Sequence, residues 1–387
     1  MKIFNKNEWK KVKLGDICEV ITGNTPLKKI KEYWDKDEVP FITPPELKYE
    51  GINYITPNIY VSKIGAKQGR IIPKNSICVC CIGSLGKLGI LKEDAITNQQ
   101  INSLILKNKN VDLLYLYFYL KTIKNNLESI ATSTTVKIIN KSSFEKIDIN
   151  LPSLEIQKKI SKKLELLENN INFRKSQLNS LNELSKSLFT TMFGDIKSNS
   201  KNWKIYKFSE KLNISSGGTP SKSNKTYWEN GTISWIGSNM CNDKIIIQND
   251  GKFITEEGLK NSSAKIYKPN TVIVALVGAT IGKTGLLKFE TSTNQNIAAL
   301  EIKNIDYSPE FLFFLLQNLY YKFNELGGDT FKMANLSFIR NLPLVSPPIE
   351  LQNKFAERIE KIEKLKFIFG RPLISTTLKN SYKRVSA

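Results

Sequence analysis

A chain in which one half restates the other has to fold as two copies of one unit, and this 387-residue sequence does restate itself. Trp9 opens the segment WKKVKLGDICEVITGNTP, and Trp203 opens WKIYKFSEKLNISSGGTP. Gly23-Asn24-Thr25-Pro26 corresponds to Gly217-Gly218-Thr219-Pro220, and Tyr33-Trp34 to Tyr227-Trp228. Further on, Thr97-Asn98-Gln99-Gln100-Ile101 is answered by Thr293-Asn294-Gln295-Asn296-Ile297, and Lys137-Ile138-Ile139-Asn140 by Lys332-Met333-Ala334-Asn335. Pro152-Ser153-Leu154-Glu155-Ile156-Gln157 and Pro347-Pro348-Ile349-Glu350-Leu351-Gln352 close the series. The spacing drifts only between 194 and 196 positions, as one-residue loop insertions would cause. Six ordered matches at one spacing are a tandem duplication.

Each copy has the same layout. A first part rich in Val, Ile, Tyr, Thr and Gly, broken repeatedly by Pro and Gly, reads as short strands and turns. The clearest are Ile71 to Ile82 and Ile266 to Val277, where a turn (Pro73-Lys74-Asn75, Pro269-Asn270) leads into a core strand. A short apolar helix is predicted over Val111–Thr122 and over Pro309–Tyr320. A long polar helix ends each copy. In the first, Ile160, Leu164, Leu167, Ile171, Leu178, Leu181 and Leu188 recur at heptad spacing, with Arg174 and Ser185 at the two skipped positions. Ser153 is placed to cap its start, Glu155 suits the first turn, and Gly194 suits a C-terminal stop. The second helix starts with Leu351, Phe355, Ile359, Ile362 and Phe369, then meets Gly370-Arg371-Pro372, which should break or kink it. Apolar seams on both helices are most economically satisfied if the helices pack on each other.

Composition narrows the chemistry. The chain has no histidine, which removes Ser-His-Asp and Cys-His catalysis, HExxH zinc sites and histidine proton shuttles. The five cysteines, Cys18, Cys78, Cys80, Cys81 and Cys241, contain no CxxC pair, and three lie in the apolar stretch Ile77 to Ile82. They read as buried core thiols of a protein in a reducing compartment. MKIFNKNEWKK lacks the apolar segment of a secretion signal, and the apolar runs Leu113 to Leu120 and Phe311 to Leu316 are too short to span a bilayer. A cytoplasmic location is expected. With 57 Lys+Arg against 36 Asp+Glu, the net charge of +21 favours a polyanionic partner. Part of that excess also fits the codon bias of AT-rich DNA, which the abundant Lys and Asn would reflect.

The motifs that invite an enzymatic reading fail in detail. Gly278-Ala279-Thr280-Ile281-Gly282-Lys283-Thr284 has three residues between its glycines where a phosphate-binding loop needs four, and its partner Gly83-Ser84-Leu85-Gly86-Lys87-Leu88-Gly89 is shorter still. Both read as tight turns with a lysine at the tip, either solvated or against a nucleic-acid phosphate. Thr43-Pro44-Pro45-Glu46 is not the Asn-Pro-Pro-aromatic motif of amino-methyltransferases, and no glycine-rich cofactor loop follows a strand. No catalytic residue, cofactor or metal is expected. Asn98, Gln99, Gln100, Asn294, Gln295 and Asn296 have the chemistry to read base edges, or equally to bond the backbone of a turn. Tyr33-Trp34 and Tyr227-Trp228 read as core aromatics rather than stacking platforms.

Two β-rich units, each followed by a Pro-x-x-Glu-x-Gln start and a leucine-seamed helix, resemble the specificity (S) subunit of type I restriction-modification systems. The resemblance rests on the Trp-x-x-x-x-Leu opening with Gly-x-Thr-Pro (Trp9–Pro26), the Gly-x-x-Gly-Lys loop, the Thr-Asn-Gln element and Leu151–Gln157. It covers essentially the whole chain; the Gly-Arg-Pro interruption is the departure. It implies an α+β fold: a tandem duplication of a β-rich globular DNA-recognition domain plus a long helix, the two helices packed as an antiparallel coiled coil. On that basis residues 1–152 and 196–346 are expected to be target-recognition domains, 153–195 the first spacer helix, and 347–387 the second, broken near 370–372. A first helix from Glu155 to Phe193 would span roughly 55 Å at 1.5 Å per residue. The chain itself is expected to be non-catalytic, to bind duplex DNA at a two-part site, and to carry two modification subunits and restriction subunits. Candidate DNA contacts are the cations Lys28, Lys29, Lys67, Arg70, Lys87 and Lys137, their counterparts Lys222, Lys225, Lys265, Lys283 and Lys332, and the six amides named above. An S-like subunit of another restriction-modification complex, or a duplicated basic nucleic-acid-binding scaffold, would share these features.

Overall fold

The computed structural model describes residues 9–131, 136–326 and 333–370. They form two compact units, one built on residues up to Ser176 and the other on Gln177–Phe369.

The first unit contains strands β1 (Lys10–Lys13), β2 (Cys18–Thr22), β3 (Val39–Ile42), β4 (Tyr60–Val61), β5 (Ile77–Cys80), β6 (Leu88–Ile90), β7 (Ile96–Thr97), β8 (Ile101–Leu106) and β9 (Asp148–Leu151). Its helices are α1 (Leu14–Ile17), α2 (Lys63–Ala66), α3 (Leu113–Thr122), α4 (Lys124–Ile130), α5 (Lys141–Glu145) and the start of α6 (Leu154–Phe193). The main sheet has the antiparallel order β2-β8-β5-β6, beside a small sheet β4-β3-β7 and the antiparallel ribbon β1-β9. Why β5 reads as an unbroken apolar run is clear from its two faces. Ile77 and Val79 pack into the core under α3, while Cys78 and Cys80 pack into a second core on the opposite face. A strand buried on both sides has no position for a polar alternate.

The second unit repeats the plan with β10 (Lys204–Lys207), β11 (Leu212–Ser216), β12 (Ile233–Ile236), β13 (Lys244–Ile246), β14 (Phe253–Ile254), β15 (Ile266–Tyr267), β16 (Val272–Ala275), β17 (Thr284–Leu287), β18 (Thr291–Thr293), β19 (Ile297–Ile302) and β20 (Pro343–Ser346). Its helices are the end of α6, then α7 (Phe208–Lys211), α8 (Glu256–Lys260), α9 (Pro309–Asn318), α10 (Tyr320–Asn324), α11 (Leu336–Arg340) and α12 (Ile349–Gly370). The main sheet is β11-β19-β16-β17-β13 and the small one β14-β12-β18-β15. Two of its pairings, β13 with β17 and β15 with β18, shrink in the first unit to the single bridges Tyr54–Ile90 and Ile72–Ala95. Here too the central strand alternates, Val272 and Val274 into one core and Ile273 and Ala275 into the other. The turns leading into β5 and β16 both place an asparagine in the left-handed region, Asn75 at φ 63° and Asn270 at φ 73°.

The apolar helices form close to the predicted spans, and α6 ends before Gly194, which has φ 80°. Arg371 and Pro372, on which the expected break of the second long helix rests, lie outside the described residues; α12 itself runs to Gly370. The heptad residues of α6 have different surroundings along its length. Ile160 and Leu164 are buried in the first unit's own core, with Leu167 packed against it and Ile171 half-buried. Leu181 and Leu188 pack against the second unit's core, Leu178 is half-buried, and the skipped Ser185 is buried with its hydroxyl donating to the Leu181 carbonyl at 3.0 Å. In the second unit the last turns of α6 meet the first turns of α12, the ends that adjoin when two helices run antiparallel. Phe355, Ile359 and Ile362 of α12 are buried there with Phe189 and Phe193, and Leu351 packs against them.

One buried glutamine anchors the start of each long helix. Gln157 Nε2 donates to the Pro152 and Asn110 carbonyls at 2.8 and 3.1 Å, and its Oε1 accepts from the Asp112 N–H at 2.8 Å. Gln352 repeats this with the Pro347 and Asp306 carbonyls at 2.9 and 3.2 Å and the Ser308 N–H at 3.0 Å. Each joins the helix entry to the residues that open α3 or α9. A buried group left unsatisfied costs about 1–3 kcal/mol, so the amide fixes the helix to its own domain. That explains the glutamine of the repeated Pro-x-x-Glu-x-Gln.

All five cysteines are free and buried. Burial pushes the thiols of Cys18, Cys78 and Cys81 up to about 12, far from the reactive thiolate.

Candidate nucleic-acid interface

The strand directions bring the repeated motifs together at one end of each main sheet. In the first unit that end carries the exit of β2, the entry to β8, the exit of β5 and the entry to β6. Gly-Asn-Thr-Pro follows β2, Asn98-Gln99-Gln100 precedes β8, and the Gly83–Lys87 turn joins β5 to β6. The Cys81 N–H donates to the Gln100 carbonyl at 2.8 Å, and the Gly83 N–H to the Lys137 carbonyl at 3.0 Å, so Lys137 joins the same cluster. The second unit reproduces this: Leu276 N–H donates to the Asn296 carbonyl at 2.8 Å, and Ala334 N–H to the Leu276 carbonyl at 2.8 Å.

Why glycine opens the first of these motifs is steric. A Cβ on Gly23 would lie 2.1 Å from the Thr97 carbonyl oxygen, and one on Gly217 2.0 Å from that of Thr293. The two loops are pressed together, and only glycine permits it. Across the contact Thr25 Oγ1 donates to Gln99 Oε1 at 2.6 Å, and Thr219 Oγ1 to Gln295 Oε1 at 2.5 Å. The remaining amides serve the turn. Asn98 is buried, its Oδ1 accepting from the Gln100 N–H at 3.1 Å and its Nδ2 donating to Gln100 Oε1 at 3.0 Å. Asn294 Oδ1 likewise accepts from the Asn296 N–H at 3.1 Å. Gln99 and Gln295 are exposed; Gln100, Asn294 and Asn296 are half-buried.

The cations fall around these loops. Arg70, exposed, donates from its guanidinium to the Thr22 carbonyl at 2.9 Å, and Asn24 Nδ2 reaches the Gln68 carbonyl at 2.5 Å, which docks the Lys67–Arg70 segment on the Gly-Asn-Thr-Pro loop. Lys265 belongs to the matching segment: a Cβ on Gly218 would lie 2.3 Å from Ser263 Oγ. Lys28, Lys29, Lys67, Lys222, Lys225 and Lys265 are all exposed. Lys137 is exposed and pairs with Glu128 at 3.6 Å. Lys332 lies outside the described residues.

The two loop-tip lysines, equivalent in sequence, differ in their surroundings. Lys283 pairs with Asp243 at 2.8 Å, and that hydrogen bond holds its ammonium above the usual lysine range. Asp243 also accepts from the Thr284 N–H at 3.0 Å, so it ties down the whole turn. Both ammonium groups also approach a ring, Lys283 at 5.1 Å from the centre of Tyr320 and Lys87 at 5.6 Å from that of Tyr49, which Lys124 approaches at 4.1 Å. Among the described residues Lys87 has no carboxylate partner to match Asp243. The turn glycines match in conformation, with φ 77° and 76° at Gly83 and Gly86 and 73° and 74° at Gly278 and Gly282. Tyr33-Trp34 and Tyr227-Trp228, expected in the core, are half-buried at its margin. Trp34 meets Phe41 edge-on at 5.3 Å and Trp228 meets Trp235 at 5.2 Å, each indole N–H donating to a loop carbonyl, of Leu27 and Ser221. Thr25 and Thr219 stood out in the sequence only as part of the repeated Gly-x-Thr-Pro and not as candidate contacts, and Asp243 carried no signal there.

Among the described residues no helix is long and apolar enough to cross a membrane. Two stretches of the chain, residues 6–183 and 200–371, match the type I restriction modification DNA specificity domain. The chain is 27% identical over 381 residues to a type I restriction enzyme specificity subunit of Methanocaldococcus jannaschii, covering 92% of this chain and 87% of the relative. It is 24% identical over 388 residues to the EcoR124I/EcoR124II specificity subunit of Escherichia coli, with the same coverage of both. The fold is similar to the S subunit of a type I restriction-modification system from M. genitalium, with a TM-score of 0.66 over 100% of this chain and 98% of the other at 16% identity. With two copies of the specificity domain spanning most of its length, the chain belongs to the type I restriction-modification specificity subunits.

Proposed function

We propose that each loop cluster reads one half of a bipartite duplex DNA site. Residues 1–152 and 196–346 are the two target-recognition domains, and 153–195 and 347–387 supply the spacer helices. The chain contributes no catalytic group; it carries two modification subunits and the restriction subunits of a cytoplasmic type I complex. The observation that carries the reading is the recurrence, in two diverged domains, of one loop cluster at one end of the sheet, fringed by exposed cations and outward amides. Cations fix register on phosphates, and a few base-edge contacts specify. Elements common to both copies cannot distinguish two different half-sites, so Lys28–Lys31 against Lys222–Lys225, and Glu46–Lys67 against Asn239–Lys265, carry the difference. Exchanging Trp203–Val345 for the same unit of a related subunit is expected to change one half of the methylated sequence and leave the other half and the spacing intact. Genome-wide methylation mapping in cells expressing the chimera with its partner reads this directly. A change in both halves would end the modular reading.

The loop-tip lysines separate phosphate contact from structure. Lys87→Ala is expected to weaken all duplex DNA about equally and to lower the slope of log affinity against log salt by about one. Lys283→Ala should alter that slope less, because Asp243 already balances its charge. Equal slopes for the two variants, measured by fluorescence anisotropy across a salt series, would count against this distinction.

A further inference from the structure

Of the three amides in each repeated turn, two are consumed by the turn itself or partly covered, and one points outward in both domains. Gln99 and Gln295 are exposed, and each has its carbonyl oxygen pinned by a threonine hydroxyl from the neighbouring loop, at 2.6 and 2.5 Å. With Oε1 taken up by the threonine hydroxyl, Nε2 is the group left to solvent. Among the described residues neither Nε2 carries a hydrogen bond. The pair therefore presents neutral N–H donors, and in each unit the segment docked on the Gly-x-Thr-Pro loop carries an exposed cation, Arg70 in one and Lys265 in the other.

The geometry points to a backbone-phosphate clamp: we infer that Gln99 and Gln295, oriented by Thr25 and Thr219, each donate to a DNA phosphate oxygen at equivalent positions of the two half-sites. This rests on the DNA-reading function proposed above. Two observations favour phosphate over a base edge. Reading adenine with a glutamine uses its carbonyl and its amide nitrogen together, whereas here the carbonyl already serves the threonine. Moreover, the same device stands in two domains whose other loops have diverged, as suits a feature that every half-site shares. Thr25 and Thr219 are positioning residues in this scheme, and Gly23 and Gly217 allow the loops to approach closely enough for the hydroxyls to reach.

The test uses the full chain in complex with its methyltransferase partner, binding both its methylated sequence and a random duplex. Gln99→Ala and Gln295→Ala should each weaken both duplexes by about tenfold or more, the worth of one hydrogen bond to a charged acceptor, with the salt slope unchanged because no protein charge is lost. Gln99→Glu keeps the acceptor for Thr25 but replaces the donor by a negative charge, and should weaken both duplexes more than Gln99→Ala does. Thr25→Val should reproduce part of the Gln99→Ala loss and add little to it in the double variant. A loss confined to the methylated sequence, with one position of it relaxed, would overturn the phosphate assignment in favour of base reading. Full affinity in both the Ala and Glu variants would overturn the contact itself while leaving the DNA-reading function standing. A wild-type complex that bound neither duplex would overturn that function, and this inference with it.

Discussion

Phe355→Ala is expected to remove about 3–5 kcal/mol from the second unit and to leave the first unchanged. Phe355 is fully buried near the start of α12, with its ring centre 5.5 Å from Phe189, 5.3 Å from Phe193 and 5.2 Å from Phe314. Phe189 in turn stacks on Phe311 at 5.8 Å, so one cluster joins the end of α6, the apolar helix α9 and the start of α12. Each ring buries a large apolar area, and the edge-on contacts among them contribute beyond it. Truncation leaves a cavity between three elements anchored elsewhere, which cannot readily close around it. Hydrogen exchange resolved by peptide is the measurement: amides of β16 and β19 should lose protection while those of β5 and β8 keep theirs. Equal loss in both units, or none, would show that the cluster is not the keystone of the second domain.

Lys121→Met is expected to destabilise the first unit by about 3–5 kcal/mol. Lys121 and Glu168 pair at 2.9 Å with side chains only 9% and 7% exposed, joining α3 to α6, and the same ammonium donates to the Gly51 carbonyl at 2.9 Å. Removing the cation leaves the buried Glu168 carboxylate without this ion pair, which costs more than the intact pair contributes. Replacing both residues, Lys121→Met with Glu168→Leu, should therefore recover most of the loss, since an apolar pair fills the same space without the desolvation cost. A double variant as unstable as the single one would refute this account of the pair. Exchange of β5 amides reports it, with β16 as the internal control. The duplication does not preserve the device. The corresponding residues are Gln317 and Glu363, and Glu363 pairs with Lys366 on its own helix at 2.6 Å. The same helix-to-helix junction is thus ionic in one copy and rebuilt in the other.

Much of this architecture follows from local rules. The repeat dictates two equivalent units. The apolar runs at Leu113 to Leu120 and Phe311 to Leu316 were legible as short helices although α3 and α9 are buried nearly all round and their periodicity is faint; their caps, Asp112 and Ser308, came only with the structure. The glycines of the loops were visible as turn residues. Their close approach to Thr97 and Thr293 was not, since nothing local says which loop a loop will touch.

The heptad pattern of α6 shows where sequence stops. The spacing establishes a stripe, but not what covers it. Ile160 and Leu164 are covered by the recognition domain that precedes them, whereas Phe189 and Phe193, outside the heptad series, hold the contact with α12. The candidate site divides in the same way. Asn98 and Gln99 are adjacent and chemically alike, yet one is absorbed by its own turn and the other faces outward; Lys87 and Lys283 align in sequence, yet only one meets an aspartate. What the sequence determined by itself was repetition, periodicity and turn chemistry, because those depend on residues a few positions apart. What only the tertiary structure decided was which polar groups are satisfied within the protein and which are left to face a ligand, because hydrogen-bond and ion-pair partners are chosen by folding across long stretches of chain.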